Sequence, residues 1–478
     1  MRLDELLEIE NRYRLLDLQI DGFHFWTYNR FAVYKGFVEK ETPSNRFSAS
    51  STKSAFDLIR LALSFPQHRI SHNVKYMFIS GGMRVQEGTR YINKYVDPLL
   101  SCLPDGLLYE IPYEGKHFTP TCSPKVVYDE FYTLGTSFLC NMWMKTHKRQ
   151  LSNVMQQMKE QLDAPIREME SVKNTNIDVD QIVADMIRQY SLYPLIKKAY
   201  TRVLNKLTPK TIVIICHYSF HKMIFTELAK ERGIPVVELQ HGEASEEHPA
   251  YNYFQKMEMR QFPDYFLTFS DFWNECARFP ITADYIISVG FPYLEDKTQK
   301  IRNTTEKKKQ TILFLSQPAS VPLLSEFAIK LGAAIDPACY RILFKFHPAD
   351  RVGWETRYPQ LVNAHNVEVV DELKPDLYEL LQQSLCSVAA IGTTAVFESL
   401  LFDVPVLIYY PHAQKELLKL CELGYAHGFG SFEEFQNLVF DDSIRKTQKT
   451  KEFWKRDAKN NTIKALETIS EGILGKDY

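Results

Sequence analysis

The chain has 478 residues, a net charge of −2, 45% hydrophobic residues and 24% charged residues. This length exceeds one ordinary core and predicts two soluble domains. The balanced charge excludes a global field that would attract nucleic acid or an anionic membrane, so we expect no nucleic-acid partner.

The cysteines and the first residues of the chain indicate its cellular compartment. Eight cysteines are scattered without a zinc-binding spacing, which predicts reduced thiols and no metal site. The opening segment, MRLDELLEIENRYRLLD, is charged throughout and unlike a secretory signal. No stretch reaches the roughly 18 apolar residues of a membrane-spanning helix. We therefore expect a cytoplasmic protein.

Residues 1–295 predict a first domain of strands and helices. The aromatic segment 21–37 predicts a packed helix, and a strand at 74–80 precedes GGMR and a helix from about residue 89. Apolar residues three and four apart predict a helical insertion over about 125–207. Apolar strands then alternate with helices, and these strands lie at 211–220, 234–242, 264–270 and 284–292. This pattern is typical of a parallel sheet covered on both faces.

Residues 296–478 predict a second domain of the same kind. The polar, basic segment 296–310 is predicted to connect the domains. Strands are predicted at 311–316, 340–348, 367–371, 384–392 and 404–410. The last helix is a candidate to pack back on the first domain. The predicted fold class is α/β, with two Rossmann-like domains facing an interdomain cleft.

Ligands of open parallel sheets bind beyond the carboxyl ends of the strands, so polar residues at those ends are candidate site residues. In the first domain these residues are His217, Gln240, His241, Gly242 and Ser270. In the second domain they are Ser316, Gln317, Lys345, His347, Gly392, Thr393 and Thr394.

The segment IGTTAVFESLLFDVPVL predicts a nucleotide-binding turn. Gly392 permits a sharp turn, and Thr393 or Thr394 can cap the helix whose free N–H groups attract an anion. Glu398 lies one turn further on and can accept hydrogen bonds from ribose hydroxyls. The alternative is that the threonines only cap the helix and that Glu398 only favours its dipole.

The segment KFHP predicts a phosphate contact. Lys345 and His347 alternate with Phe344 and Phe346, so the two polar side chains point to one side of the strand. A lysine near the end of a buried strand must reach a polar cleft or a partner. His347 could donate a hydrogen bond to phosphate; the alternative is a solvated histidine at a strand end.

The segment LQHG predicts a catalytic base. Gly242 permits close approach of the backbone, and His241 has an ordinary pKa near neutrality. Gln240 or Glu243 could orient the His241 ring. The alternative is a purely structural histidine. Gly81, Gly82 and Arg84 could border an acceptor site, although a plain turn between strand and helix is the alternative.

Together LQHG, SVGFP, KFHP and GTTAVFESLLFDVPVL resemble motifs of the two-Rossmann (GT-B) transferases of bacterial surface polysaccharides. The relatives include capsule transferases of the Kdo and sialic-acid type and the CDP-glycerol glycerophosphotransferases. The resemblance covers about residues 211–410. It implies a catalytic role for His241, a donor-phosphate contact for His347, and nucleotide contacts for Thr393, Thr394 and Glu398.

One departure from that pattern concerns the residues after LQHG. Teichoic-type enzymes often continue with threonine, proline and lysine, whereas this chain has Glu243-Ala244-Ser245. This difference favours a sugar donor over a glycerophosphate donor. The resemblance also implies that no metal is needed, because lysine, histidine and helix N-termini stabilise the leaving phosphate.

The predicted function is therefore transfer of a sugar from a nucleotide-sugar donor to a saccharide or lipid-linked saccharide acceptor in capsule or other cell-envelope synthesis. The donor nucleotide stays open among CMP, UDP, CDP and GDP, and no other cofactor is expected. His217, Gln240, Gly242, Glu243 and Arg84 are predicted on the acceptor side. The alternatives are a nucleotide-sugar 2-epimerase, a polyol-phosphate transferase, or a non-catalytic scaffold of an assembly complex.

The helix around Trp143 raises the question of membrane contact. It carries Lys145, His147, Lys148 and Arg149. This composition is compatible with peripheral association with the inner membrane, and the alternative is a solvated basic face.

Overall fold

The computed structural model describes residues 3–39, 74–81, 84–112, 117–173, 178–302, 310–347, 350–371, 375–413, 415–445 and 453–472. The chain forms two compact units. The first unit contains the chain up to residue 289 without residues 269–272, and it also contains the chain from residue 459 onward. The second unit contains residues 290–458 and 269–272.

A parallel seven-stranded sheet forms the centre of the first unit. Its strands are β1 (Tyr76–Gly81), β4 (Gly106–Ile111), β5 (Val126–Tyr128), β6 (Thr211–Ile215), β7 (Val236–Leu239), β8 (Tyr265–Thr268) and β9 (Ile286–Ser288). Their order across the sheet is β5-β4-β1-β6-β7-β8-β9. The interior strands β6 and β7 are fully buried, and their sequences are apolar apart from Thr211 and Glu238.

A two-stranded antiparallel hairpin follows β1, formed by β2 (Arg84–Glu87) and β3 (Arg90–Asn93). The predicted helix from about residue 89 is therefore wrong at its start. The physical reason is local, because Gly88 adopts φ 59° and closes a two-residue turn. Val85 pairs with Ile92 across the hairpin, and such β-branched residues favour strands.

Helices account for most of the first unit outside the sheet. They are Leu3–Arg12, Phe25–Glu39, Asp97–Leu100, Glu130–Thr133, Thr136–Thr146, Lys148–Lys173, Val179–Leu207, Phe220–Lys230, Asp271–Asn274 (which begins in residues of the second unit) and Ala458–Ser470. The predicted helices in 21–37 and 125–207 are confirmed, except that residues 126–128 form strand β5. Asp178 caps the longest helix, since its side chain accepts a hydrogen bond from the Gln181 N–H at 3.0 Å.

A parallel six-stranded sheet forms the centre of the second unit. Its strands are β10 (Gln310–Leu315), β11 (Tyr340–Lys345), β12 (Val367–Val370), β13 (Ser384–Ala389), β14 (Val406–Tyr409) and β15 (His427–Phe429). Their order is β12-β11-β10-β13-β14-β15. The α-helices are Pro292–Arg302, Val321–Ala334, Trp354–Arg357, Pro359–Val362, Leu377–Gln383, Thr394–Leu401, Lys415–Glu422 and Phe432–Phe440.

The first of these helices corrects the interpretation of 296–310 as a polar connection. Residues 296–302 belong to the helix that begins at Pro292. Leu294, Thr298 and Ile301 are buried at helical spacing, so this amphipathic segment does carry core residues. Residues 303–309 lie outside the described residues.

Both sheets have the strand order of a Rossmann fold. Counted along the chain within each sheet, the order is 3-2-1-4-5-6, with a seventh strand added in the first unit. The predicted α/β fold with two Rossmann-like domains is confirmed. In such a sheet the connections run in opposite directions from the first and fourth strands, which leaves a crevice at their carboxyl ends. That the edges of the two sheets face one cleft stays a prediction.

None of the described helices combines the length and the apolar character needed to cross a bilayer.

Candidate active site

The carboxyl ends of β6 and β7 bring a histidine and a carboxylate into contact in the first unit. The Nδ1 atom of His217 lies 2.5 Å from Oε2 of Glu238, and the His217 backbone N–H donates to Oε1 at 3.2 Å. Both side chains are buried. Burial alone would raise the pKa of Glu238, but the contacts with His217 outweigh it and keep that pKa below its ordinary value. Glu238 is therefore an ionised carboxylate inside the protein.

His241 completes this cluster at the end of β7. Its Nδ1 atom lies 3.8 Å from Oε1 of Glu238, and the Tyr218 hydroxyl lies 3.2 Å from its Nε2 atom. The Tyr251 hydroxyl donates to Glu238 at 3.0 Å and also lies 3.4 Å from Nδ1 of His241. Burial lowers the pKa of His241 to about 3, against the opposing effect of Glu238. The imidazole is therefore neutral at physiological pH.

This arrangement defines what His241 can do chemically. A neutral imidazole has a lone pair that can accept a proton, whereas its low pKa makes it a weak base by itself. The carboxylate of Glu238 is close enough to stabilise the imidazolium ion that proton transfer would create. Glu238 was not predicted as a site residue, although a lone carboxylate in the otherwise apolar segment VVEL is a signal that could have identified it.

A buried lysine lies at the switch point of the same sheet, between β1 and β6. The Lys222 ammonium group donates to the backbone carbonyls of Ile215 and Cys216. It lies 3.8 Å from the position that a side-chain Cβ would occupy at Gly81. Burial lowers the pKa of Lys222. Lys222 was not predicted as a site residue either, because the helical pattern around it indicates only a packed amphipathic helix.

The loop after His241 is held by two hydrogen bonds. The buried Gln240 side chain donates to the Gly242 carbonyl at 2.9 Å, and the Tyr95 hydroxyl donates to the His241 carbonyl. No atom lies within 4 Å of the position that a Cβ would take at Gly242, so the backbone borders open space. This space would allow a substrate to approach the backbone closely. Glu243 follows and is half-buried.

Arg84, which is predicted on the acceptor side, lies among buried carboxylates. Its side chain is fully buried and lies 2.5 Å from Oε2 of Glu110 and 3.6 Å from Asp97. It also donates to the Ser123 hydroxyl at 3.1 Å. These carboxylate partners compensate the buried charge of Arg84, and its acceptor-side role stays a prediction. Gly81 ends β1, and Gly82 lies outside the described residues.

The second unit places several predicted nucleotide contacts at its own switch point. Ser316 and Gln317 follow β10, and Gly392 and Thr393 follow β13, the strand that pairs with β10. Thr393 caps the helix that begins at Thr394, accepting a hydrogen bond from Ala395 N–H at 3.4 Å. Gln317 forms a reciprocal capping pair with Ser320.

Glu398 is buried in the helix that Thr393 caps.

Lys345 and His347 lie at the end of the neighbouring strand β11. The Ser316 backbone N–H and hydroxyl both donate to the Lys345 carbonyl at 3.1 Å, which ties the ends of β10 and β11 together. Phe344 and Phe346 are buried, whereas Lys345 and His347 are half-buried, so the predicted alternation is confirmed.

Burial lowers the pKa of both basic groups at this strand end. The opposing influences are Asp376 for Lys345 and Asp350 for His347. His347 is therefore neutral at pH 7 and can donate one ring N–H. Among the described residues, no group of three or more histidine, cysteine, aspartate or glutamate side chains is placed to hold a metal ion.

No protein-family model and no curated protein matches the chain. Solved structures are similar to it at low identity. They include a putative UDP-N-acetylglucosamine 2-epimerase from Listeria monocytogenes (11% identity, 85% of this chain and 98% of that chain, TM-score 0.49). A second is the UDP-GlcNAc 2-epimerase of Neisseria meningitidis bound to UDP-GlcNAc (11% identity, 83% of this chain and 99% of that chain, TM-score 0.47). A third is the glycotransferase of kitacinnamycin (11% identity, 84% of this chain and 98% of that chain, TM-score 0.46).

Proposed function

We propose that the protein is an enzyme that acts on a nucleotide-linked sugar and binds the nucleotide at the carboxyl edge of the second unit. One observation carries this proposal. Ser316, Gln317, Gly392 and Thr393 follow the two adjacent strands that flank the switch point of a sheet with Rossmann order. Nucleotides bind to such sheets at that place.

The neighbouring side chains suit the parts of a nucleotide. The N–H groups at the start of helix Thr394–Leu401 suit a phosphate, as does the half-buried Lys345. Glu398 is the candidate acceptor for ribose hydroxyls. A neutral His347 would donate one hydrogen bond to phosphate. Because these groups would carry the charge of the leaving phosphate, we propose a reaction without a metal ion; EDTA should leave its rate unchanged.

The cluster of His217, Glu238 and His241 is the proposed proton-transfer group. In glycosyl transfer, an acceptor hydroxyl forms a bond to the anomeric carbon while the bond from that carbon to the nucleotide phosphate breaks. The hydroxyl proton passes to His241, and the electron pair of the broken bond leaves with the phosphate. In 2-epimerisation, the proton on the sugar carbon next to the anomeric carbon would pass to His241. The electron pair of that C–H bond would form a double bond to the anomeric carbon while the bond from the anomeric carbon to the nucleotide phosphate breaks. Return of the phosphate to the anomeric carbon and of a proton to the opposite face of its neighbour would complete the reaction.

Two reactions are therefore candidates. Transfer to a saccharide or lipid-linked saccharide acceptor, as in bacterial surface-polysaccharide synthesis, is favoured by the sequence motifs. Epimerisation at C2 is the reaction named for several similar solved structures, one of them bound to UDP-GlcNAc. A buried neutral imidazole beside a carboxylate suits either reaction, so the products must decide between them.

The first experiment tests nucleotide binding. A thermal-shift panel with CMP, UDP, CDP and GDP should show stabilisation by one nucleotide. The variant Lys345→Ala should bind that nucleotide at least about tenfold more weakly. The control Lys330→Ala removes an exposed lysine paired with Glu326 in the same unit and should leave the affinity unchanged. Absence of a shift with every nucleotide would refute the proposal and favour a scaffold.

The second experiment identifies the reaction. Nucleotide sugars are incubated in D2O with and without saccharide acceptors, and the products are followed by NMR and mass spectrometry. Deuterium at C2 without an acceptor identifies epimerisation, whereas nucleotide release that requires an acceptor identifies transfer. His347→Ala should abolish either reaction, and His365→Ala, which truncates an exposed histidine, should not. Unchanged turnover in His347→Ala would refute its assigned role.

A further inference from the structure

A patch of exposed apolar side chains lies on the first unit, and no part of the proposed reaction uses it. Twelve large hydrophobic side chains of the described residues are exposed, and five of them fall within residues 131–142. The five residues are Phe131, Leu134, Phe138, Leu139 and Met142. Phe138 is 66% exposed, Leu139 52% and Met142 51%. Such clustering marks an interaction surface, because exposed apolar residues otherwise occur singly.

The packing of helix Thr136–Thr146 explains why this apolar patch faces outward. The helix contacts helix Val179–Leu207, and Thr136 and Cys140 are its buried residues. Phe138, Leu139 and Met142 are one, three and four residues apart, so they share the opposite face. The fold therefore does not need these three side chains for its own core.

The charged residues within and after the apolar patch are all basic, although Asp129 and Glu130 directly precede it. Residues 131–159 contain no aspartate or glutamate, while Lys145, Lys148 and Arg149 follow the patch directly and are exposed. On a neighbouring helix, the Lys206 ammonium lies 5.9 Å from the Phe131 ring centre. The apolar patch thus has a basic border on its carboxyl-terminal side, whereas Glu130 on the other side is half-buried and hydrogen-bonded to His117.

We propose that the apolar patch docks this protein on the surface of a bilayer that contains anionic lipids. Apolar side chains would enter the boundary between headgroups and acyl chains, and the basic border would contact the anionic headgroups. The half-buried Trp143 of the same helix is a residue type enriched at that depth. Docking of two copies through this patch is disfavoured, since it would bring two basic borders together.

Vesicle binding tests this proposal directly. The full chain should sediment with phosphatidylcholine vesicles containing about 30% phosphatidylglycerol, and much less with phosphatidylcholine alone. Raising NaCl from about 0.05 M to about 0.5 M should release most of the bound protein. The triple variant F138S/L139S/M142S should lower the bound fraction at least about tenfold, and so should K145A/K148A/R149A.

Matched controls distinguish vesicle binding through the apolar patch from nonspecific vesicle binding. F254S and L423S remove exposed apolar residues elsewhere, and R90A/K210A/K464A removes three exposed basic residues of the same unit; both sets should bind like the parent chain. Circular dichroism and nucleotide-induced thermal shifts check that every variant is folded. Absence of vesicle binding would overturn the proposal. The proposal would also be overturned if the parent chain formed a concentration-dependent dimer and F138S/L139S/M142S were the only variant that stayed monomeric.

Discussion

The imidazole of His217 and the carboxylate of Glu238 form a buried pair that joins the carboxyl ends of the adjacent strands β6 and β7. Glu238 also accepts a hydrogen bond from Tyr251 and lies beside His241. One carboxylate thus organises two histidines and a tyrosine. This arrangement makes Glu238 the residue whose removal is most informative about the first unit.

Replacing Glu238 with glutamine should lower turnover about 100-fold or more, because the carboxylate that stabilises a protonated His241 is lost. It should also lower the free energy of unfolding by about 1–3 kcal/mol, since buried partners lose a charged hydrogen-bond acceptor. Turnover of the nucleotide sugar and urea unfolding measure the two effects. The control Glu258→Gln alters an exposed carboxylate and should change neither. Full turnover in Glu238→Gln would contradict the role assigned to the carboxylate.

The depressed pKa of His241 predicts a dependence of stability on pH. Its pKa of about 3 in the folded protein lies below the ordinary 6.5, so the unfolded chain binds the proton first as the pH falls. The free energy of unfolding should therefore decrease from pH 6.5 toward pH 3. His241 would contribute on the order of 5 kcal/mol, since the shift spans about 3.5 pKa units and one unit is worth about 1.4 kcal/mol.

Urea midpoints measured across that range test the assignment to His241. The variant His241→Gln has no titrating ring and should show a flatter dependence than the parent chain. His365→Gln, at an exposed position, should keep the parent slope. An identical slope in His241→Gln and the parent chain would show that other groups cause the effect.

Alanine substitution should destabilise the protein at Gly332 and leave its stability nearly unchanged at Gly242. In Gly332→Ala the new Cβ would lie 2.3 Å from the His365 carbonyl oxygen, so we expect a loss of about 1–3 kcal/mol despite better helix propensity. In Gly242→Ala the Cβ would enter open space, and stability should change by less than about 0.5 kcal/mol. Turnover should nevertheless fall at least about tenfold in Gly242→Ala if substrate occupies that space. Thermal unfolding and steady-state kinetics measure both variants, and a fully active Gly242→Ala would place the substrate elsewhere.

Arg84 should behave as a structural residue. Arg84→Met leaves the buried Glu110 carboxylate without its main positive partner, and we expect a loss of about 3–5 kcal/mol. Arg90→Met, at an exposed position of the same hairpin, should be nearly neutral. Chemical denaturation compares the two variants. If Arg84→Met kept full stability but lost acceptor binding, the prediction of an acceptor-side role would be supported.

The sequence allowed much of the fold to be predicted, because strands buried on both faces leave continuous apolar runs. The strands β6 and β10 are of this kind after their polar first residues, and β7 and β13 are mainly apolar. The hairpin Arg84–Asn93 was missed because its strands are only four residues long and half-exposed, so their pattern is weak beside the preceding strand. Strand β15 has only three residues and was not predicted.

The strand-end histidines could be predicted, whereas their partners could not. His217 meets Glu238 because β6 and β7 pair in parallel with Ile214 opposite Glu238, and this register depends on tertiary packing. The contact of Tyr251 with Glu238 likewise depends on a loop that returns to the sheet. Neither contact with Glu238 can be inferred from the spacing of these residues along the chain.

The central pairing of the first sheet has a consequence for how the chain is made. Tyr76 pairs with Thr211, so 135 further residues must be synthesised after Tyr76 before β6 can begin to pair with β1. At about 5–20 residues per second a ribosome needs roughly 7–27 s for that length. During this interval an apolar strand edge stays uncovered, whereas in the second sheet β10 waits for only 73 residues between Thr311 and Ser384. We therefore expect the nascent first sheet to depend on chaperones more than the second sheet does.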